Sequence, residues 1–380
     1  MVNLKTRLLF IAGLLALSCS RYPVDTGGRD LYEMESVWQY LKIYCVWQDT
    51  LWRDTLPADA FKFETPEKIL ANVHDTLHGN DYTTYYNSGG GALGAGVLGT
   101  DARAIVSGAV YWDSLSDSTG YLLVYNEFTK GTYGSFLDAL AKVRKFRNII
   151  IDLRYNGGGN LEATDSIIQS ILPDSTPYII EKYRTYDRQN RRASIKNWDT
   201  IWTNHDRQLA ALRNKRFAVI ANRGSASASE ILVAALKDGL AHASDTVVLV
   251  GDTTYGKGMG QIVISREHSG WSDIRITFLR IKGLSDRIGY YHRKGILPDV
   301  NVDCDSLENL IDSLLRRNLQ KEADALQLLC DSLNISAALK ILEPSAHFHK
   351  RNILRKSSIA AAPDKPEAAI IDSPEDVPVR

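Results

Sequence analysis

The feature that most limits the fold of this chain is an apolar run without alternation. Arg147-Asn148-Ile149-Ile150-Ile151-Asp152-Leu153 reads as one strand. A strand with one wet face alternates apolar and polar residues; a strand apolar on both faces belongs inside a sheet covered on both sides. Phe217-Ala218-Val219-Ile220 and Thr246 to Val250 repeat the pattern. Between these runs, Phe136, Leu137, Leu140 and Val143 recur at helical spacing, as does the stretch Ile231 to Leu236. Strands alternating with helices in this way make an α/β core. Gly120 to Tyr125 adds a strand before it. Residues 262–282 add two extended segments and 295–302 a closing one, and residues 305–342 read as helix, with Leu307, Leu310, Ile311, Leu314 and Leu315 on one face.

The ends differ from this core. Lys5 and Arg7 precede an apolar run from Leu8 to Leu17, which is too short to span a bilayer and has the layout of an export signal, residues 1–18. Cys19 follows directly. Ala16-Leu17-Ser18-Cys19 resembles a bacterial lipoprotein box, which makes Cys19 the expected lipidated residue and the cell envelope, on the periplasmic side or outer membrane, the expected location. No later segment reads as long and apolar enough to cross a membrane. Residues 19–88, rich in Trp and Tyr, read as a small helical N-terminal domain, with helices at 37–44 and 71–77. Residues 89–304 read as the main domain, and the Pro-rich stretch 343–380 as a disordered tail.

Several classes of function are disfavoured. Lys plus Arg and Asp plus Glu are both 45, so the basic excess of a nucleic-acid binder is missing. Gly94-Ala95-Gly96-Val97-Leu98-Gly99 fits a dinucleotide fingerprint, but a loop precedes it and extended segments follow, so no cofactor is expected. His74-Asp75-Thr76-Leu77-His78 nearly matches a zinc-protease helix, but has Asp where Glu is required, and no metal is expected. Apart from Cys19, the cysteines are Cys45, Cys304 and Cys330, so at most one disulfide forms.

Three strand ends carry chemistry. After the strand ending at Ile220 comes Arg223-Gly224-Ser225-Ala226-Ser227-Ala228-Ser229-Glu230, then an apolar helix. A serine at a strand-to-helix turn lies beside unpaired N–H groups at the helix start, where an oxyanion is stabilised by about 3 kcal/mol per donor. The competing reading is a simple helix cap. Thr253-Thr254-Tyr255-Gly256-Lys257-Gly258 places a lysine between glycines after another buried strand, and Gln261 lies on the same face if the segment is extended. A buried amine loses its proton readily and can act as a base. Asp152-Leu153-Arg154-Tyr155-Asn156-Gly157-Gly158-Gly159 ends the first strand with glycines whose N–H groups are open to a substrate.

In this order, with Gly295-Ile296-Leu297-Pro298-Asp299 beyond them, these segments resemble the C-terminal processing (tail-specific) serine peptidases, a family that includes tricorn-like proteases. The likeness covers about residues 105–303. It implies an α/β fold with a crotonase-like β-β-α catalytic core. It also implies Ser227 as nucleophile, Lys257 as general base and Gln261 as its support, with Ala228 and Gly158 or Gly159 as oxyanion donors. The substrates implied are proteins or peptides. The chain departs from the pattern in leaving no room for a PDZ domain between Asp81 and the strand at 120, and in separating Ser227 from Lys257 by 30 positions. The polar, basic stretch 175–210, with Arg184, Arg188, Arg191 and Arg192, reads as a cleft wall or a solvated face. The rival reading of the whole chain is a lipid-anchored ligand-binding protein on the same core.

Overall fold

The computed structural model describes residues 108–344, except 155, 188–191, 205–206, 243–246 and 265–272, together with Val37, Tyr40, Leu41, Ile43, Cys45 and 84–86. Cys19, the helix expected at 71–77, His74, His78, the glycine-rich stretch 89–100, Arg188, Arg191 and the tail beyond 344 lie outside the described residues.

The unalternating runs form the centre of a six-stranded sheet. Its strands are β2 (Val110–Ser114), β3 (Thr119–Val124), β4 (Asn148–Asp152), β7 (Arg216–Ala221), β8 (Val247–Gly251) and β11 (Val300–Asn301), in the order β11-β8-β7-β4-β3-β2. Neighbouring strands from β3 to β11 are parallel, and only β2 is antiparallel, to β3. Every residue of β4 is buried, as a strand covered on both faces requires. On one side lie α1 (Thr132–Val143), α2 (Leu161–Ile171) and α3 (Ala228–His242), whose buried faces include Phe136, Leu140, Ile167, Ile171, Leu232 and Leu236. The spacing in α1 is as the sequence indicates, except that Leu137 faces outward.

The other side is closed by the C-terminal helices. Residues 305–342 are two helices, α4 (Asp305–Arg316) and α5 (Gln320–Leu342), not one, with Asn318 in a left-handed conformation at the break. Ile335, Ala338, Leu339 and Leu342 of α5 pack on Tyr121, Ile150, Ala218 and Ile220. By length and apolarity α5 could cross a membrane, which corrects the expectation that no segment after the signal could; here that apolarity covers the sheet. Cys304 and Cys330 form a disulfide that closes the α4–α5 hairpin at its base, and Cys45 is buried and not part of a disulfide. The cysteine count allowed one bridge without naming it.

A second, antiparallel sheet joins β1 (Thr84–Tyr86), β5 (Pro177–Asp187), β6 (Arg192–Trp202), β9 (Met259–Ile264) and β10 (Asp273–Lys282). β1 falls within the stretch read as a helical N-terminal domain, yet pairs with β10 of this sheet. Of that stretch's helices, Val37, Tyr40, Leu41 and Ile43 are helical as expected. β5 and β6 form a long ribbon within 175–210, where charged residues masked the period of two. Arg184, read there as solvated or cleft-lining, is buried, with Nε 3.4 Å from the Ile43 carbonyl oxygen. The β5–β6 ribbon holds α3 on one side, so the helix that starts at Ala228 is clamped between the two sheets.

Candidate active site

The three chemistry-bearing turns meet at the C-terminal ends of β4, β7 and β8. In open parallel sheets this edge is where ligands bind, because the strand ends and helix starts converge there. The sequence dictates how two of the turns interlock. Ser225 and Ser229 use their hydroxyls on the β4 turn. Ser225 Oγ donates to the Leu153 carbonyl at 2.8 Å, and Ser229 Oγ lies 2.8 Å from the Asn156 carbonyl and 2.7 Å from its Oδ1. The Ala226 N–H also bonds the Asn156 carbonyl, at 3.1 Å.

Ser227, between them, is 1% exposed, and its Oγ has no hydrogen-bond partner. Its φ is +54°, a left-handed conformation uncommon for residues with a Cβ. This excludes the simple cap. In a capping box the serine hydroxyl accepts a helix N–H while the glutamate three residues on reaches back to the serine N–H. Here only the second half forms, with Glu230 Oε2 accepting the Ser227 N–H at 3.0 Å. Strain of this kind costs about 1–3 kcal/mol and persists where surrounding contacts enforce it.

Gly158 lies against Ser227. A Cβ on Gly158 would sit 2.7 Å from Ser227 Cβ and 2.9 Å from the Ala228 nitrogen, and φ is +109°. Glycine is therefore required on both counts. The Gly158 N–H is already used, donating to Asn156 Oδ1 at 3.0 Å. That corrects the expectation for Gly158 as a donor. Gly159, with φ +119°, is held by its neighbours, because Phe128 N–H bonds the Gly158 carbonyl and Asn160 N–H bonds the Phe128 carbonyl. Among the described residues, the backbone N–H groups of Gly159 and Ala228 have no acceptor. Ala228 opens a 15-residue helix, whose partial positive charge adds to its donor strength.

Lys257 is 4% exposed and Gln261 is also buried, on β9 opposite Thr277 of β10. Ser227 Oγ and Lys257 Nζ do not hydrogen-bond in this structure. What joins their segments is Glu230. Oε2 accepts the Lys257 N–H at 2.7 Å as well as that of Ser227, while Oε1 accepts the Gly256 N–H at 2.7 Å and the Thr254 hydroxyl at 2.5 Å. Tyr255 N–H adds a bond to the Ser225 carbonyl at 3.0 Å. Burial pushes the Glu230 carboxyl up to about 7, against the pull of its four donors. Burial, then the nearby Glu230 charge, pushes the Tyr291 phenol well above its ordinary range; its hydroxyl has no hydrogen-bond partner. The sequence marks Glu230 only by its offset of three from Ser227.

A second feature missed from sequence lies behind the β4 turn. Arg154 is buried between Asp152, at 2.6 Å, and Asp331 of α5, also at 2.6 Å. Burial disfavours its charge, but the two carboxylates hold the guanidinium well above its ordinary value. Tyr121 Oη donates to Asp152 at 2.6 Å and completes the network. Asp331 lies 177 positions from Arg154, and no spacing rule connects them.

Residues 118–302 match peptidase family S41. Probable CtpA-like serine proteases of Staphylococcus epidermidis and Staphylococcus aureus are each 30% identical to this chain over 191 residues, which is 50% of it. The chain covers 35% and 34% of their lengths, so it spans about a third of these relatives. Among solved structures, the photosystem II D1 C-terminal processing protease is 24% identical over 53% of this chain and 50% of its own, with a TM-score of 0.38, too loose a superposition to argue from. The turn of three serines, the glycine-flanked lysine and the triple-glycine strand end all fall inside the segment, residues 118–302, that is similar to peptidase family S41.

Proposed function

We propose that the chain is a serine peptidase acting on protein or peptide substrates through Ser227 and Lys257 on a crotonase-like core. The observation that carries this reading is the difference among three neighbouring serines. Ser225 and Ser229 spend their hydroxyls on the β4 turn, whereas the Ser227 hydroxyl is held in a strained turn with no partner. A merely structural serine in a buried turn would be hydrogen-bonded.

In the proposed reaction Lys257 Nζ takes the Ser227 proton as Oγ attacks the scissile carbonyl carbon. The Ala228 and Gly159 N–H groups donate hydrogen bonds to the developing oxyanion, and Gly158, lacking a side chain, lets the substrate backbone approach. The C–N bond breaks as the lysine returns the proton to the leaving amine. Water then attacks the ester, releasing the new carboxylate and restoring Ser227. Gln261 orients the amine. Free enzymes often leave such contacts open until substrate binds, so the Ser227–Lys257 bond forms in the loaded state.

Digestion of casein and a fluorogenic peptide by wild type, Ser227→Ala and Lys257→Ala tests this. Turnover by wild type alone is expected; equal turnover by all three overturns the mechanism, and an inert wild type favours a ligand-binding protein. The apolar run at Leu8 to Leu17 followed by Cys19 supports export and a lipid anchor in the cell envelope. Detergent-phase partition lost in Cys19→Ala is the expected result, and aqueous partition of wild type would exclude the anchor.

A further inference from the structure

The β5–β6 ribbon carries a feature that hydrolysis does not use. Trp198 of β6 is 38% exposed. The Arg280 guanidinium carbon lies 5.2 Å from its ring centroid, and Lys282 Nζ lies 5.0 Å from it. Arg280 also lies 5.0 Å from the ring centroid of Tyr290, which meets Trp198 edge-on at 6.4 Å. Lys182 stands directly opposite Arg280 across β5 and β10 and so shares its face. Trp202, an even number of residues along β6 from Trp198, faces the same way and is 51% exposed. The ribbon's Glu181 and Asp199 pair with one another and with Ile281, on the other face. The carboxylates of the ribbon are therefore kept off the face that carries Lys182, Arg280 and the aromatic rings.

Among the described residues neither Lys182 nor Lys282 has a carboxylate partner. The two lysines, on adjacent strands, repel one another, and an anionic ligand would relieve that repulsion. The face also borders the site. Met259, two residues beyond Lys257, pairs with Arg280 across β9 and β10. Tyr290 lies in the basic face, while its neighbour Tyr291 is buried beside Gly258, 3.2 Å from a Cβ placed there. Three strands about 4.8 Å apart make a strip about 10 Å wide, which suits one extended chain. A membrane or duplex needs a broader positive field, and this chain has no net charge.

We propose that the face of Trp198, Arg280, Lys282, Lys182 and Tyr290 docks an acidic stretch of the polypeptide substrate beside the bond to be cut. This deepens the peptidase reading and rests on it. The test uses the full chain and two peptides identical except for a flank of four glutamates or four glutamines. Anisotropy with the Ser227→Ala protein reads binding apart from turnover; wild type, Lys282→Gln and Lys182→Gln/Lys282→Gln then give kcat and KM. The acidic peptide is expected to bind more tightly and to show a KM about fivefold lower, with kcat unchanged. That preference should vanish in the double variant and in high salt, while the glutamine peptide is turned over as by wild type. Equal binding of the two peptides, or a preference unaltered by the double variant, overturns the proposal. So does binding of phosphatidylserine vesicles with no peptide preference. If neither peptide is cleaved but the acidic one binds through these lysines, the peptidase reading fails and the docking surface stands.

Discussion

Replacing Glu230 by Gln separates what this carboxylate does for stability from what it does for catalysis. All four groups around it are donors: the Ser227, Lys257 and Gly256 N–H groups and the Thr254 hydroxyl. A glutamine amide has one accepting oxygen, so in either orientation its NH2 faces two donors. Two buried donors left without an acceptor cost about 1–3 kcal/mol each. Against this, the variant removes a buried charge. Its carboxyl is raised from 4.5 to about 7, and at about 1.4 kcal/mol per pH unit the ionised form is disfavoured by about 3 kcal/mol. The two effects offset, so stability above pH 7 should change little. Activity has no such offset, because the crowded side is either the Ser227–Lys257 pair of N–H groups or the Gly256–Thr254 pair that shapes the lysine loop. A shift of about 1 Å at reacting groups costs about 100-fold.

The expected result is a kcat about 100-fold lower on a fluorogenic peptide, with a urea midpoint close to wild type. A kcat within threefold of wild type would refute the reasoning. The pH dependence adds a sign. In the unfolded chain Glu230 titrates near 4.5 and in the fold near 7, so its contribution to stability is full below 4.5 and is lost as pH rises through 7. Activity runs the other way, falling as pH drops through 7, because protonation removes an acceptor. Both limbs should disappear in Glu230→Gln; an acid limb that survives belongs to Lys257.

Two further outcomes are expected. Gly158→Ala places a methyl 2.7 Å from Ser227 Cβ at a left-handed φ, and should abolish peptide hydrolysis while circular dichroism stays that of the wild type; wild-type turnover would show that the turns are not held together as described. Asp331→Ala leaves Arg154 buried with one of its two carboxylates, a loss worth about 3–5 kcal/mol in buried pairs, and should lower the urea midpoint accordingly; an unchanged midpoint would count against a structural role for the pair.

The parallel strands were legible because both-face burial leaves an unbroken apolar run, as in Asn148–Asp152 and Arg216–Ala221. Ser227, Lys257 and the triple glycine were legible because each sits where such a run stops. The β5–β6 ribbon was not, because both of its faces carry charged residues and period two is hidden among Lys, Arg, Asp and Glu. Residues 305–342 read as one helix because the break at Arg317-Asn318-Leu319 contains neither Gly nor Pro. Asp331 and the Cys304–Cys330 bridge were out of reach for a different reason: they depend on which helix docks on which strand, and that is a property of topology. Gly158 was only half legible, since glycine signals close approach but not whether its own N–H remains free.

The docking of α5 also sets an order in time. Arg154 is made 177 residues before Asp331. At about 5–20 residues per second, the strand end carrying the triple glycine waits roughly 10–35 s for the helix that completes its ion pairs. Through that interval the turn beside Ser227 has Asp152 alone to hold its arginine. A nascent chain thus carries Ser227, Lys257 and Glu230 before it has the last support for their geometry.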